Sequence, residues 1–463
     1  MANSNQLPDY IVSATPNPAS NRAPWYKNTA PTYAGIFLWF VFWQDAARGG
    51  APGGTLAQGL GWALLSLAFA AVVCHALFYL VPGLFGMRTG LPLYIVGTST
   101  FGATGGFLMP GFLMGVLQFG WVGVNVFFSS FAIGSLFYPD IKPSDPTIPV
   151  AVKVIMVVWG ALAAFVGLKG IKYVAKVATY LPLIPLVVLL WLAAKTIGNL
   201  GQFDAGALIT AQRPVGASDS QLGHIGVLAA MLTYVVGFFA TAGAAGVDFG
   251  TSSRDKKDVQ MGGLVGIALA IFITAGLSLV IVAGVAGGSK GVLSSLSSFE
   301  LIPTILGKDT AKWVMFLLAI AAFPPACFSA FIAANSFKTT LPKVNPFISV
   351  GIGTAVSVVL AVTGLVAKAI SVFVIIGASF GPICGAMLAD YLLNRGEWTG
   401  PRAGFNPAGW IAWALGFLVG ILPNLGVNVP AAPVAAFVVG FVAYFLCAKL
   451  GMLSAVIPLP KKS

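Results

Sequence analysis

The chain has 463 residues, 58% of them hydrophobic and 8% charged, with a formal charge of +12 and a mean hydropathy of +0.91. Soluble domains carry about 25% charged residues, so this composition excludes a water-soluble globular surface and predicts an integral membrane protein. The cysteines Cys74, Cys327, Cys384 and Cys447 lie in apolar stretches without metal-site spacing, and the histidines are His75 and His224 alone. That leaves little for a disulfide scaffold, a zinc enzyme or a Ser/His/Asp hydrolase to use.

Residues 1–31 are polar and rich in Asn, Pro and Ser. They lack the basic start and short apolar core of a cleaved signal peptide and read as a cytoplasmic tail. Beyond them run long intervals without a charged residue, among them Arg48 to Arg88 and Arg402 to Lys449. A spanning helix needs about 20 predominantly apolar residues. Twelve spans are predicted, over 32–57, 58–84, 107–136, 149–168, 174–195, 222–249, 260–288, 312–337, 347–367, 369–392, 407–423 and 430–450.

The first and sixth of these are interrupted. The first runs Thr32 to Trp43 and then meets Gln44, Asp45, Arg48 and the loose Gly49–Gly54 segment. The sixth runs Ile225 to Val236 and then meets Gly237, Gly243 and Gly246 before Asp248. Interrupted spans at matching places in two halves mark a solute site at mid-membrane, where unwound backbone offers amides and carbonyls. Asp45 and Arg48 stand out because ionisable groups inside a span are costly and functional by default. Three residues apart, they are placed to pair across one turn. They are read as an ion pair fixing the unwound segment, as a site where Asp45 accepts a coupling proton, or as outer-surface residues beyond a shorter span. His75 is a second proton candidate, because imidazole titrates near neutrality, or else a buried, satisfied histidine. Asp248, ahead of Arg254, Lys256 and Lys257, is expected to make a structural contact.

Lysine and arginine alternate between the two sets of loops. Arg88; Lys169, Lys172 and Lys176; Arg254, Lys256 and Lys257; Lys338 and Lys343; Arg395 and Arg402 fall on one side with the terminal Lys461 and Lys462. Lys142, Arg213, Lys290, Lys308 and Lys368 fall on the other. The richer side is expected to be cytoplasmic, with both termini inside a cell (inner) membrane. The net positive charge is thus topology, and no nucleic-acid partner is implied.

Gln118-Phe119-Gly120-Trp121-Val122-Gly123 resembles the Gln-x-Gly-Trp-x-Gly of bacterial cytosine permeases. Gly237-Phe238-Phe239-Ala240-Thr241-Ala242-Gly243 with Val247-Asp248-Phe249 resembles the broken sixth helix of that group. Ala389-Asp390-Tyr391-Leu392-Leu393-Asn394-Arg395 resembles its Ala-Asp-Tyr-Leu-x-Asn-Arg signature. All three occur in order between about Pro31 and Arg395, so the chain resembles the nucleobase–cation symport family of cytosine, purine, allantoin and hydantoin permeases. The resemblance implies an all-α integral membrane protein of twelve transmembrane helices with leucine-transporter-like inverted repeats and broken helices 1 and 6. Repeat one would occupy 32–195 and repeat two 222–392, with helices 11–12 over 403–450 and a cytoplasmic tail over 451–463.

In the eighth span, Ala326-x-x-Ser329-Ala330-x-x-Ala333-Ala334-Asn335 is similar to the hydantoin-permease pattern Ala-x-x-Ser-Thr-x-x-Ala-Ala-Asn. There the Ala carbonyl and the Ser and Thr hydroxyls hold sodium and the Asn holds substrate. Ala330 replaces the Thr, so Ala326 and Ser329 are a reduced sodium set, and Asp45 a rival ion-coupling residue. No cofactor is expected beyond Na+ or H+ as the coupling ion.

A flat heterocycle needs aromatic faces for stacking and a few donors and acceptors at its edges. Trp121 and Asn125, four residues apart, project from one helical face. By the family pattern Phe239 stands where hydantoin permeases place a second stacking Trp. The expected site is a ring between Trp121 and Phe239, its edges bonded by Gln118, Asn125, Asn335 and backbone near Gly237, with Phe238 and Gln44 close by. The function implied is secondary-active import of a nucleobase, purine or hydantoin-like small molecule, with the lipid bilayer the other partner. An amino acid or organic cation on the same fold is the alternative, and a non-transporting membrane sensor the alternative of another class. The Gly-x-x-x-x-Gly-Lys loop of an ATP-driven pump is missing.

Overall fold

A computed structural model describes residues 7–169, 180–213, 221–293 and 295–459. Lys172, Lys176, Lys461, Lys462 and the start of the fifth predicted span (174–179) lie outside the described residues. Among those described, ten helices are long and apolar enough to cross a membrane. They are α3 (Leu60–Thr89), α4 (Phe107–Gly134), α5 (Val150–Lys169), α6 (Leu183–Gln202), α7 (His224–Ala244), α9 (Lys256–Gly288), α11 (Lys308–Thr340), α13 (Ala369–Leu393), α14 (Pro407–Leu425) and α15 (Ala432–Lys449). Short α8 (Gly246–Gly250) and α10 (Ser298–Leu306) stand between them. The ninth predicted span is the 17-residue α12 (Pro346–Val362), ended by a turn at Thr363-Gly364.

The first predicted span is divided into α1 (Thr29–Leu38) and the single turn α2 (Phe40–Trp43). The chain leaves regular helix twice: Trp39 is extended (φ −60°, ψ 124°), a break the sequence does not mark, and α2 ends at Trp43, so that Gln44 begins the irregular segment where the sequence places it. At Trp39 aromatic neighbours receive the freed groups. Trp43 Nε1 donates to the Leu38 carbonyl at 3.1 Å, and the Tyr234 hydroxyl donates to the Phe42 carbonyl. Tyr33, Phe37, Phe42 and Trp43 are fully buried on both sides of the division, so this span lies inside the protein.

The expected interruption at Gly237 is also corrected. Helix α7 runs unbroken through Gly237 to Ala244, and the chain re-enters a helix at Gly246. Gly237 serves close approach instead: a Cβ there would lie 2.8 Å from the Phe373 carbonyl of α13. Small residues let membrane helices meet at such distances.

The helices form two groups. Helices α4, α5, α11 and α12 pack on one another, and α3, α7 and α9 pack together with α1. Helix α13 lies against α7, α14 and α15. Within the second group, α3 and α9 each contain one wide π turn, at Cys74–Tyr79 and Leu264–Leu269.

Asp390 ties the tail-side end of α13 to three other segments. Its carboxylate accepts from Ser99 Oγ at 2.8 Å, Tyr444 OH at 2.8 Å and Asn394 Nδ2 at 3.0 Å, and it pairs with Arg402 Nη2 at 3.5 Å. Arg402 in turn donates to the carbonyls of Ser99 and Ser454. Both charged side chains are buried, and every carboxylate oxygen is bonded. Asp248 makes the structural contact expected of it, accepting from the Leu93 amide at 3.1 Å. Removing one partner of a buried pair leaves an uncompensated charge. Arg402→Met should therefore destabilise the fold by about 3–5 kcal/mol, read as a lowered Tm in detergent, while the exposed Arg395→Met should not.

Candidate functional site

Trp121 sits where the two helix groups meet. Its ring lies 4.8 Å from Phe238 of α7, 5.3 Å from Phe373 of α13 and 6.1 Å from Trp39 at the break of the first span. Phe238 closes the cluster at 4.7 Å from Phe42 and 5.3 Å from Phe373. Edge-to-face and tilted pairs at these distances are the favoured arrangements of aromatic rings. Trp121 Nε1 donates to Thr241 Oγ1 at 3.1 Å, a bond from one helix group to the other.

Phe239 does not face Trp121. Successive helical residues diverge by about 100°, so only one of the Phe238-Phe239 pair can look at α4, and it is Phe238. Phe239 turns toward Tyr33 (5.8 Å) and Phe37 (5.7 Å) and is fully buried among them. The expected Trp121–Phe239 sandwich is thus replaced by a Trp121–Phe238 contact. Gly237, inside a continuous helix, has no freed backbone to offer.

The polar candidates separate into committed and uncommitted groups. Asn125 is committed: Nδ2 donates to the Ala322 carbonyl at 2.8 Å, and Oδ1 accepts from Trp159 Nε1 at 3.1 Å and Ser129 Oγ at 3.3 Å. It locks α4 to α5 and α11. Gln118, buried one turn before Trp121, has its Nε2 at 3.4 Å from the thioether of Met114, a weak acceptor. Gln44 is 1% exposed, yet neither Oε1 nor Nε2 has a partner, and Trp39 Nε1 is likewise unbonded. Leaving a buried polar group unsatisfied costs ~1–3 kcal/mol, and such groups call for an explanation. The Gln44 main chain, by contrast, is held, its carbonyl accepting from the Ser298 amide at 2.6 Å.

Asn335 is exposed near the tail-side end of α11, and its carbonyl accepts from Thr339 Oγ1. The structure does not join it to the buried aromatic cluster. Ala326 is buried, Ser329 half-buried, and Ala330 packs against Gly167 of α5. Asp45 is 4% exposed; Oδ2 lies 3.4 Å from Arg48 Nη1 and Oδ1 has no partner. Both residues line a cavity of about 950 Å³ on the face away from the tails, with Phe127, Phe128, Lys153, Ser297, Glu300 and Lys368. His75 is half-buried with Nδ1 unbonded, beside Gly263 and Tyr79.

Sequence reasoning missed Trp39, Phe373 and Thr241. Thr241 was within reach, since it follows Phe238 by three residues on the same face. Phe373 carries no local signal, because only the tertiary approach of α13 to Gly237 brings its ring to Trp121.

The family model for permeases for cytosine/purines, uracil, thiamine and allantoin matches residues 16–447. The cytosine permease of Escherichia coli (strain K12) is 25% identical over 405 residues, 85% of this chain and 85% of that one. The nucleobase-cation-symport-1 family transporter Mhp1, closed with bromovinylhydantoin bound, superposes with a TM-score of 0.60 at 16% identity over 94% of this chain and 95% of its own. Its inward-facing conformation gives 0.62 at 16% identity, with 99% and 97% covered. A Na+-coupled sialic acid symporter gives 0.52 at 14% identity, with 98% and 93% covered. The structural likenesses establish a leucine-transporter-like all-α fold, and the match over nearly the whole length establishes more: the chain belongs to the family of membrane permeases for cytosine/purines, uracil, thiamine and allantoin.

Proposed function

We propose that the chain imports a flat nitrogen heterocycle of the nucleobase or hydantoin type, by alternating access and coupled to a cation, across the inner membrane with both termini cytoplasmic. The observation that carries this reading is the cluster of Trp121, Phe238, Trp39 and Phe373; Gln44, five residues beyond Trp39 on the first span, adds a buried amide without a partner. Ring faces suit a planar π system. One donor and one acceptor on a single side chain suit the amide-like edge of a nucleobase. Gln118 is free to add a second pair, whereas Asn125 acts by holding the helix that carries Trp121.

The cluster is drawn from both helix groups: Trp121 from one, Phe238 and Trp39 from the other. A solute between them would therefore be gripped or released as the groups rock about it. An amino acid, the alternative solute, requires partners for a carboxylate and an ammonium. The rings and the neutral amide carry no opposite charge for either, which favours an uncharged ring. Sodium on Ala326 and Ser329 and a proton on Asp45 are the leading coupling schemes, with His75, whose Nδ1 has no partner, a further proton candidate.

Radiolabelled cytosine, adenine, uracil, allantoin and benzylhydantoin, offered one at a time to proteoliposomes under imposed ion gradients, test the reading. One of them should accumulate, and failure of all five with folded protein would overturn it. Stacking of a base on an aromatic side chain is worth ~1–3 kcal/mol. Trp121→Ala and Phe238→Ala should accordingly each raise the apparent KM by roughly tenfold or more, and Phe239→Ala by clearly less. Orientation is checked with membrane-impermeant maleimide on intact cells: Ser144→Cys should label directly and Ser20→Cys only after permeabilisation.

A further inference from the structure

Asp45 is a buried carboxylate with one oxygen paired and one left over, at the edge of a large cavity. Oδ2 meets Arg48 Nη1 at 3.4 Å, while Oδ1 has no hydrogen-bond partner. Asp45 lines the cavity of about 950 Å³ that opens between the two helix groups. The contrast with Asp390 is informative: there every carboxylate oxygen is bonded and the charge is anchored. Oδ1, without a partner, is the oxygen on which a hydrogen can sit without displacing an existing bond.

We infer that Asp45 is the binding site of a coupling proton, loaded from this cavity. The inference rests on the reading of the chain as a cation-coupled carrier. A proton from cavity water attaches to Oδ1 and leaves Asp45 neutral. The ion pair with Arg48 is then dissolved, and Arg48 keeps its charge in the cavity, where its side chain is 54% exposed. On release to water at the opposite face the carboxylate reforms and pairs again with Arg48. The proton is thus carried on the first span, a few residues from the break at Trp39, so that its loading changes the charge of a segment already freed from regular helix.

The charged and titratable groups facing Asp45 come from every neighbouring element. Arg48 is on its own segment; Tyr234 of α7 has its hydroxyl engaged by the Phe42 carbonyl. Glu300 of α10, Lys153 of α5, Asp145 and Lys368 share the cavity. Of the carboxylates in that cavity, Asp45 is the one on the broken span. Helix α11 offers a metal ion little by comparison, because Ser329 supplies the one side-chain oxygen in Ala326–Ala330 and Ala330 packs on Gly167.

The test has two independent readouts. In proteoliposomes with an acidic exterior, the wild-type chain should concentrate labelled cytosine, and Asp45→Asn should bring it only to the equilibrium level. Infrared difference spectra between acidic and alkaline buffer, without any solute, should contain a protonated-carboxyl band. That band should shift in heavy water, disappear in Asp45→Asn and survive in Glu300→Gln. Concentrative uptake by Asp45→Asn driven by the pH gradient, a band indifferent to that substitution, or wild-type accumulation that follows sodium and ignores pH would each overturn the inference. If the band behaves as expected while neither cytosine nor the other four heterocycles is taken up, the proton site stands and the assignment of the solute falls.

Discussion

Inside a bilayer a backbone group that leaves its helix has only protein to bond with, and an unsatisfied one costs several kcal/mol. The break at Trp39 is possible because side chains from elsewhere take up what it releases. The indole of Trp43 reaches back to the Leu38 carbonyl, and the hydroxyl of Tyr234 reaches across to that of Phe42. Thr55 closes the far end, its Oγ1 on the Ala46 carbonyl and its amide on that of Ala47. The Ser298 amide bonds the Gln44 carbonyl. With the main chain so held, the buried side chains of Gln44 and Trp39 are left with unpaired polar atoms. The aromatic site follows from the way the break is satisfied.

Much of this was legible in the sequence because it depends on local composition. The ten long apolar helices among the described residues follow from charge-free intervals, and their ends run a few residues longer, as at Lys308 and Lys256, because charged residues can sit at the membrane surface. Trp121, Gln118 and Gln44 were singled out from motif and position, and all three are buried. What could not be read was direction. Phe238 and Phe239 are chemically identical neighbours, and which one meets Trp121 depends on the rotation of α7 set by Gly237 against α13. Asn125 looked like a ligand because its pattern does not reveal that Trp159 and the Ala322 carbonyl already use its amide. Gly237 looked like a helix breaker because glycine has two uses, unwinding and close packing, which sequence does not tell apart.

Two buried aspartates show how one residue type serves opposite ends. Asp390 is surrounded by donors from four chain segments, so its charge is neutralised and its position fixed. The Ala-Asp-Tyr-Leu-x-Asn-Arg run is explained by this, since Asn394 donates to Asp390 across one turn. Asp45 has a single, half-exposed cation and an unused oxygen. The first arrangement fixes the group in place; the second leaves an oxygen without a partner.

Anchoring at Asp390 also gives α13 the mechanics of a lever. Asp390 lies 17 positions beyond Phe373 in the same helix, about 25 Å along its axis at 1.5 Å per residue. The end held by Ser99, Tyr444 and Arg402 is a fulcrum, and Phe373 rides near the other end. A tilt of roughly 5° about that point carries the Phe373 ring by about 2 Å over a 25 Å arm, a distance comparable with the gaps between the rings it touches. Pro382 lies between the two points, where one helical hydrogen bond is missing, so the wall that Phe373 gives the cluster can shift while the end held at Asp390 stays fixed.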